Sequence, residues 1–308
     1  MIDALTTLLS SPMMQRSLLA ALIVGLTAPI IGTYLVHRRL AMLGDGIGHI
    51  SLTGVALGWL VGAFANVSPA DSWAIPGAVI ISLLGAITIE LVRQSGRTSG
   101  DTALAMLFYG GIAGGVLLIG LAGGTSAQLN SYLFGSISTV RWSDITLITI
   151  LGIAIVALGI GLAPALFSVT NDEDFARSTG LPVRTLSLLI AILSALTVAV
   201  AMRVVGSLLV SALMVIPVAI AQLGARSFRS TMGIAMALGV IICTCGLSLT
   251  HFIDLSPGAT IVVGAIALYA IGFGIRAIVD RIRRVRRLRA ARSHNQHPER
   301  ELLAHADA

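Results

Sequence analysis

Residues 38–58 read RRLAMLGDGIGHISLTGVALG, and the run stays apolar through Trp59, Leu60 and Val61. Two arginines open it, and no further arginine or lysine follows until Arg93. A bilayer-spanning helix needs about 20 mostly apolar residues, so residues 40–64 predict one membrane crossing with a basic pair at its mouth. Strands of a membrane barrel alternate in polarity over about 10 residues, which this run does not do. Its interior nevertheless carries Asp45 and His49. Four positions on a helix turn through about 400°, so the two side chains lie about 40° apart on one face, with Thr53 a turn further on. A charge at mid-membrane costs on the order of 3 kcal/mol. A carboxylate and an imidazole on one stripe can bind a divalent cation, relay protons, or bond to each other within a helix bundle.

The remainder of the chain repeats the pattern. Of its 308 residues 56% are hydrophobic and 11% charged, and the mean hydropathy is +0.94. A soluble domain carries about 25% charged residues, so most of this surface must face lipid. Further apolar runs fall at 17–37, 73–93, 101–123, 144–166, 184–203, 204–224, 230–250 and 256–278. Only Arg203 separates 184–203 from 204–224, which leaves two crossings or one broken pair. The expected fold is an all-α integral membrane protein, a polytopic bundle of 8–9 transmembrane helices. Residues 1–281 form the transmembrane domain and 282–308 an Arg-rich cytoplasmic tail without packed structure. The first fifteen residues lack the basic region and small-residue site of a cleaved signal. Cys243 and Cys245, two apart on a helix, point to nearly opposite sides and form neither a CxxC motif nor a disulfide framework.

All 20 basic residues are arginine. With the N-terminus outside and nine crossings, Arg38, Arg39, Arg93, Arg97, Arg177, Arg184, Arg226, Arg229 and the nine arginines from Arg276 to Arg300 fall inside. Arg16, Arg141 and Arg203 fall outside, the asymmetry the positive-inside rule demands. This puts the C-terminus in the cytoplasm. The basic excess is concentrated in one tail, so it does not mark a nucleic-acid-binding face. Gly44, Gly46 and Gly48 follow no strand, which excludes a dinucleotide fingerprint. Spaced pairs such as Gly44 and Gly48 or Gly110 and Gly114 suit close helix packing.

Other ionisable groups are weaker candidates. Glu90, near the inner end of its span, is expected to snorkel to the interface, with a metal role the alternative. Asp101 and Asp144 sit at span ends, where helix dipoles favour acids. His251 and Asp254, three apart, read as part of a solvated outer loop, with an entry site for an ion as the weaker alternative. Tail histidines His294, His297 and His305 fit a loose metal site or a polar tail equally well. Residues 170–182, TNDEDFARSTGLP, place Asp172, Glu173 and Asp174 at the N-terminus of a short helix that Gly180 stops. Such a helix at the cytoplasmic face can fit a partner's groove.

These residues together resemble the permease subunit of metal-uptake ABC transporters, which import zinc, manganese or chelated iron into bacteria. The likeness runs over roughly 15–280. It rests on the paired arginines, Asp45, His49 and Gly-rich segment of 38–58, then GDTALAMLFYGG at 100–111, LNSYLFGSI at 129–137, the DEDFARSTG loop, VVGSLLVSALMVIPVAIAQL at 204–223 and SPGATIVV at 256–263. The resemblance implies a homodimer in the bacterial inner membrane with a central pathway. It also implies a cytoplasmic ATP-binding subunit and an extracytoplasmic metal-binding protein. Asp45 and His49 match the family's intramembrane metal ligands, and Glu173, Ala176 and Gly180 match its coupling helix. The LTGVALG continuation is more like the zinc branch, although one Asp and one His suit either zinc or manganese. The ion is cargo, so no permanent cofactor is expected. No G-x-x-x-x-G-K-[ST] loop is present, so ATP hydrolysis falls to a partner and the chain is not itself an enzyme. Two rival readings stay open: a permease for a bulky chelate, and a proton-driven secondary transporter, although no convincing internal repeat supports the second. An intramembrane metalloprotease would need an H-E-x-x-H helix, which is absent.

Overall fold

Lipid offers no hydrogen bonds, so each apolar run must satisfy its own backbone, and a helix does so within one segment. A computed structural model describes residues 11–65, 70–96, 100–123, 125–136, 140–250, 252–253 and 255–295. His251, Asp254, His297 and His305 lie outside the described residues. Eight helices among those described are long and apolar enough to cross a membrane, and the described residues contain no strand.

The first long helix, α1 (Pro12–His37), carries Pro12 in its opening turn, where the missing N–H costs nothing. It is the spine of the bundle: Thr27 to Leu35 are all buried, and α1 packs against four later helices. These are α6 (Trp142–Gly161), α9 (Val183–Val205), α10 (Val210–Gln222) and α11 (Phe228–Thr250). A second layer forms around α2 (Ala41–Phe64), which packs against α3 (Ala74–Ser95), α4 (Gly100–Leu121), α9 and α10. Between α4 and α6 lies α5 (Ser126–Phe134), and after α6 come two short helices, α7 (Ala163–Asn171) and α8 (Glu173–Ser178). The last helix is α12 (Pro257–Asn295).

Two departures from the sequence expectation and one choice between its alternatives shape the bundle. First, of the two readings of 184–224 the broken pair holds, and 204–224 is not one continuous membrane-spanning helix. Gly206, at φ +89°, ends α9, and the chain turns before α10 begins. Thirteen residues of α10 span about 20 Å, short of the ~30 Å hydrocarbon core. Such a break within the bundle is tolerated only if its backbone groups find partners. They do: Ser207 N–H donates to Tyr132 O at 2.9 Å and Leu208 N–H to Leu133 O at 3.2 Å. Both acceptors belong to the last turn of α5. That helix, unforeseen as an element, opens with a capping box between Thr125 and Gln128, and its Tyr132 ring packs edge-on against Trp59 of α2 at 5.4 Å.

Second, the expected span 144–166 stops at Gly161, where Leu162 bends the chain and Pro164 opens α7. Third, α12 passes through residue 281 without interruption and continues to Asn295, so the stretch 282–295 is helical and not an unstructured tail. Arginine, alanine and leucine are strong helix formers, and they dominate that stretch. Residues 296–308 lie outside the described residues.

Candidate metal site and inner ion-pair cluster

Asp45 lies in the second turn of α2 and His49 one turn beyond it. Their facing atoms, Asp45 Oδ1 and His49 Nε2, are 3.7 Å apart. Donors that each bind one ion at about 2.0–2.1 Å cannot stand further apart than about 4.2 Å, so this pair can share an ion as it stands. Across from it, Ser211 Oγ of α10 donates to Asp45 Oδ1 at 3.1 Å. The helix break brings the hydroxyl there. Gly48 faces it, and a Cβ on Gly48 would come within 2.7 Å of Ser207 O, so only glycine lets α2 approach the turn so closely.

His49 is buried, and the ring of Phe108 meets it edge-on at 4.1 Å between centroids. Its Nδ1 has no hydrogen-bond partner among the described residues, so packing rather than a hydrogen bond orients the imidazole. Asp45 is more open and lines a groove of about 450 Å³ with Met42, Asp101, Leu104, Phe108 and Tyr109. Asp101, expected only as a span-end acid, therefore shares the groove with Asp45, which its distant place in the sequence could not reveal. No group of three or more His, Cys, Asp or Glu side chains able to hold a metal occurs among the described residues. One chain therefore presents two donors, which is half a coordination shell for zinc.

Glu90 does not join them. It is buried rather than snorkelling, and its two carboxylate oxygens accept from Arg93 Nε at 3.0 Å, Arg93 Nη2 at 2.9 Å and Gln94 Nε2 at 2.9 Å. It belongs to a second polar centre at the end of the bundle that carries Arg38, Arg93 and α8. There Arg38, the C-cap of α1, donates to Glu173 and, at 2.9 Å, to Ser187 Oγ of α9. Arg93 Nη2 lies 3.4 Å from the same Glu173 oxygen. Burial, the largest single influence on Glu173, pushes its carboxyl up, but Arg38 and Arg93 together outweigh it and hold it below the ordinary carboxylate value.

The five residues expected to face a partner thus have different fates. Asp172 caps α8, accepting from the N–H groups of Asp174 and Phe175 at 3.0 Å each. Glu173 turns toward the bundle, Ala176 is fully buried beneath the helix, and Gly180 stops it at φ +82°. Asp174 and the capping Asp172 are exposed, whereas Glu173 is half-buried. Phe175 and Arg177, not singled out from sequence, are exposed beside Asp174.

The family model described as the ABC 3 transport family matches residues 10–276. The manganese transport system membrane protein MntC of Halalkalibacterium halodurans is 32% identical over 266 residues, 86% of this chain and 88% of that one. The high-affinity zinc uptake system membrane protein ZnuB of Haemophilus influenzae is 29% identical over 255 residues, 83% and 94% of the two chains. Among solved structures, PsaBC from Streptococcus pneumoniae in complex with Fab matches with a TM-score of 0.78 at 30% identity, covering 89% of this chain and 95% of that one.

Proposed function

The chain belongs to the ABC 3 transport family, and from that premise we propose that it carries a divalent transition-metal ion past Asp45 and His49, in a pathway formed with a second copy of itself. It is a multi-pass permease of a metal-uptake ABC transporter, a transport component and not a catalytic subunit. The observation that carries the proposal is the donor pair itself. The Asp45 carboxylate lines an open groove with the buried His49 imidazole 3.7 Å behind it, and a two-fold axis beside that groove would double them to four donors. Four donors without cysteine suit a site that accepts an ion and then releases it. Ser211, held against Asp45, positions the carboxylate.

Manganese and zinc systems resemble this chain to nearly the same degree, at 32% and 29% identity, so the zinc preference expected from LTGVALG is not singled out. One carboxylate and one imidazole per copy serve either ion. The arginine distribution supports placing α8 and the Arg38 cluster in the cytoplasm of a bacterial inner membrane. There the exposed face of α8, with Asp174, Phe175 and Arg177, would meet the ATP-binding subunit, and a metal-binding protein would deliver the ion from the other side.

The test is uptake of radioactive zinc and manganese, in parallel, by cells expressing the permease with its ATPase and delivery protein, for the native chain and His49→Ala. The expected result is uptake of one or both ions that disappears in the variant while the complex still assembles. Normal uptake by His49→Ala would remove the site. Loss of uptake on dissipating the proton gradient, with ATP still present, would favour a secondary transporter instead.

A further inference from the structure

Glu173 was expected to reach outward to a partner, yet its carboxylate is turned inward and gathered by two arginines from different helices. Arg38 is almost wholly enclosed, at 4% side-chain exposure, and it stands at the corner between α1 and α2. That corner is tight: Arg39 takes a left-handed conformation at φ +59°, and Leu40 N–H returns to Leu35 O at 2.8 Å. α2 then starts at Ala41, so Arg38 precedes Asp45 by seven residues on a short, folded-back path. The same guanidinium reaches Ser187 of α9, the helix whose far end is the break beside Gly48. Arg93 adds α3 to the cluster, and Gln94 of α3 donates to Arg184 O at the start of α9 at 3.3 Å.

We propose that Glu173 is a positioning residue for transport: it latches α8 to the α1–α2 corner, so that movement of α8 is delivered to the helices that hold the metal pair. The proposal rests on α8 being the surface the ATPase moves, and deepens that reading by naming the connection. The charges are arranged for it. Glu90 is already engaged by Arg93 through two hydrogen bonds and by Gln94. Glu173 is therefore the carboxylate hydrogen-bonded to Arg38, with Glu90 acting on it only from further off, and removing the Glu173 charge leaves a buried guanidinium with neutral hydrogen-bond partners. Breaking one side of an enclosed pair loosens the element that supplied the counter-charge. Here that element is α8, a helix of six residues whose remaining anchors are the buried Ala176 and the Asp172 cap.

The experiment uses the complete complex of permease, ATPase and delivery protein in proteoliposomes, and reads ions moved per ATP hydrolysed, with zinc and manganese as probes. Glu173→Gln keeps the shape and removes the charge. The expected result is that ions per ATP fall about tenfold, a usual size for a coupling free energy, while ATP hydrolysis stays within about twofold of the native rate. Asp174→Asn, on the outward face, should instead lower transport and hydrolysis together and leave their ratio unchanged. Glu173→Asp, which keeps the charge, should retain most of the ratio, and it decides the matter if Glu173→Gln assembles poorly. An unchanged ratio in Glu173→Gln, hydrolysis falling in step with transport, or a Glu173→Asp ratio as low as that of a charge-free variant would each overturn the latch. A native complex that hydrolyses ATP but moves neither ion would remove the function reading, and the latch with it.

Discussion

Asp45 and His49 come from one face of one helix, while Arg38, Glu90, Arg93 and Glu173 are drawn from the α1 corner, α3 and α8, up to 135 residues apart. The two centres also differ in how fully their bonding capacity is used. In the cluster, both glutamates meet guanidinia, and the surplus donors find Ser187 Oγ. In the pair, His49 Nδ1 has no partner among the described residues, Asp45 is given a single hydroxyl, and a groove of about 450 Å³ opens beside it. Charges already paired with one another gain little from a new ion and hold their helices together. A pair with unused acceptor capacity keeps room for one, and the proposed metal role rests on that difference.

The comparison breaks most readily at Asp45. Asp45→Asn keeps the shape but removes the charge, and initial-rate uptake of the preferred ion should fall at least about a hundredfold, beyond what outer partners of metal ligands usually cost. Co-purification of the ATPase should be unaffected; an assembled complex that still transports would show that the pair is structural. A smaller effect is expected one step out, at Ser211→Ala. Loss of one hydrogen bond to a carboxylate should raise the apparent KM for the ion about three- to tenfold with the maximum rate little changed. A fall in maximum rate instead would assign Ser211 to movement rather than to binding.

The smallest effect belongs to the cluster and concerns acid. The Glu173 carboxyl is held below its ordinary value of 4.5, so between the two values the released state binds more protons than the docked one. Its contribution to holding α8 is therefore complete above 4.5 and is lost as pH falls through the lowered value. Amide exchange in α8, referenced to α9 at each pH, should stay level above 4.5 and rise as pH falls below it in the native chain, and stay flat throughout in Glu173→Gln. Exchange that slowed on acidification would contradict the pairing with Arg38 and Arg93.

Most of the bundle was legible because a membrane crossing is a local property: twenty apolar residues say the same thing wherever they lie. Helices α1, α2, α3, α4, α9 and α11 each fall close to their expected runs for that reason. The proximity of Asp45 and His49 was legible for a related one, since i and i+4 share a face before any tertiary contact exists. What escaped was everything that needs two distant segments. Ser211 reaches Asp45 only because Gly206 breaks α9 and α5 absorbs the freed backbone, and hydropathy registers neither event. Glu173 looked outward because DED reads as one acidic patch, yet a six-residue helix has an inside, and the buried Ala176 shows which way it faces. Phe175 and Arg177 on the opposite side carried no signal of their own in sequence.

The break between α9 and α10 has an electrostatic consequence as well. Ser211 is the second residue of α10, so the amino end of that helix lies beside Asp45. The aligned peptide dipoles place roughly half a positive elementary charge there, worth about 0.3–1 kcal/mol to a nearby anion and up to ~2 kcal/mol where partly buried. That partial charge eases the carboxylate when it is alone and opposes an arriving cation. On the proposed metal role of Asp45, affinity for the ion would thereby be weakened by roughly two- to thirtyfold relative to the same side chains on unbroken helices. For a carrier whose task ends only when its cargo leaves, the interrupted helix acts as a counterweight, setting how readily the grip on the ion is surrendered.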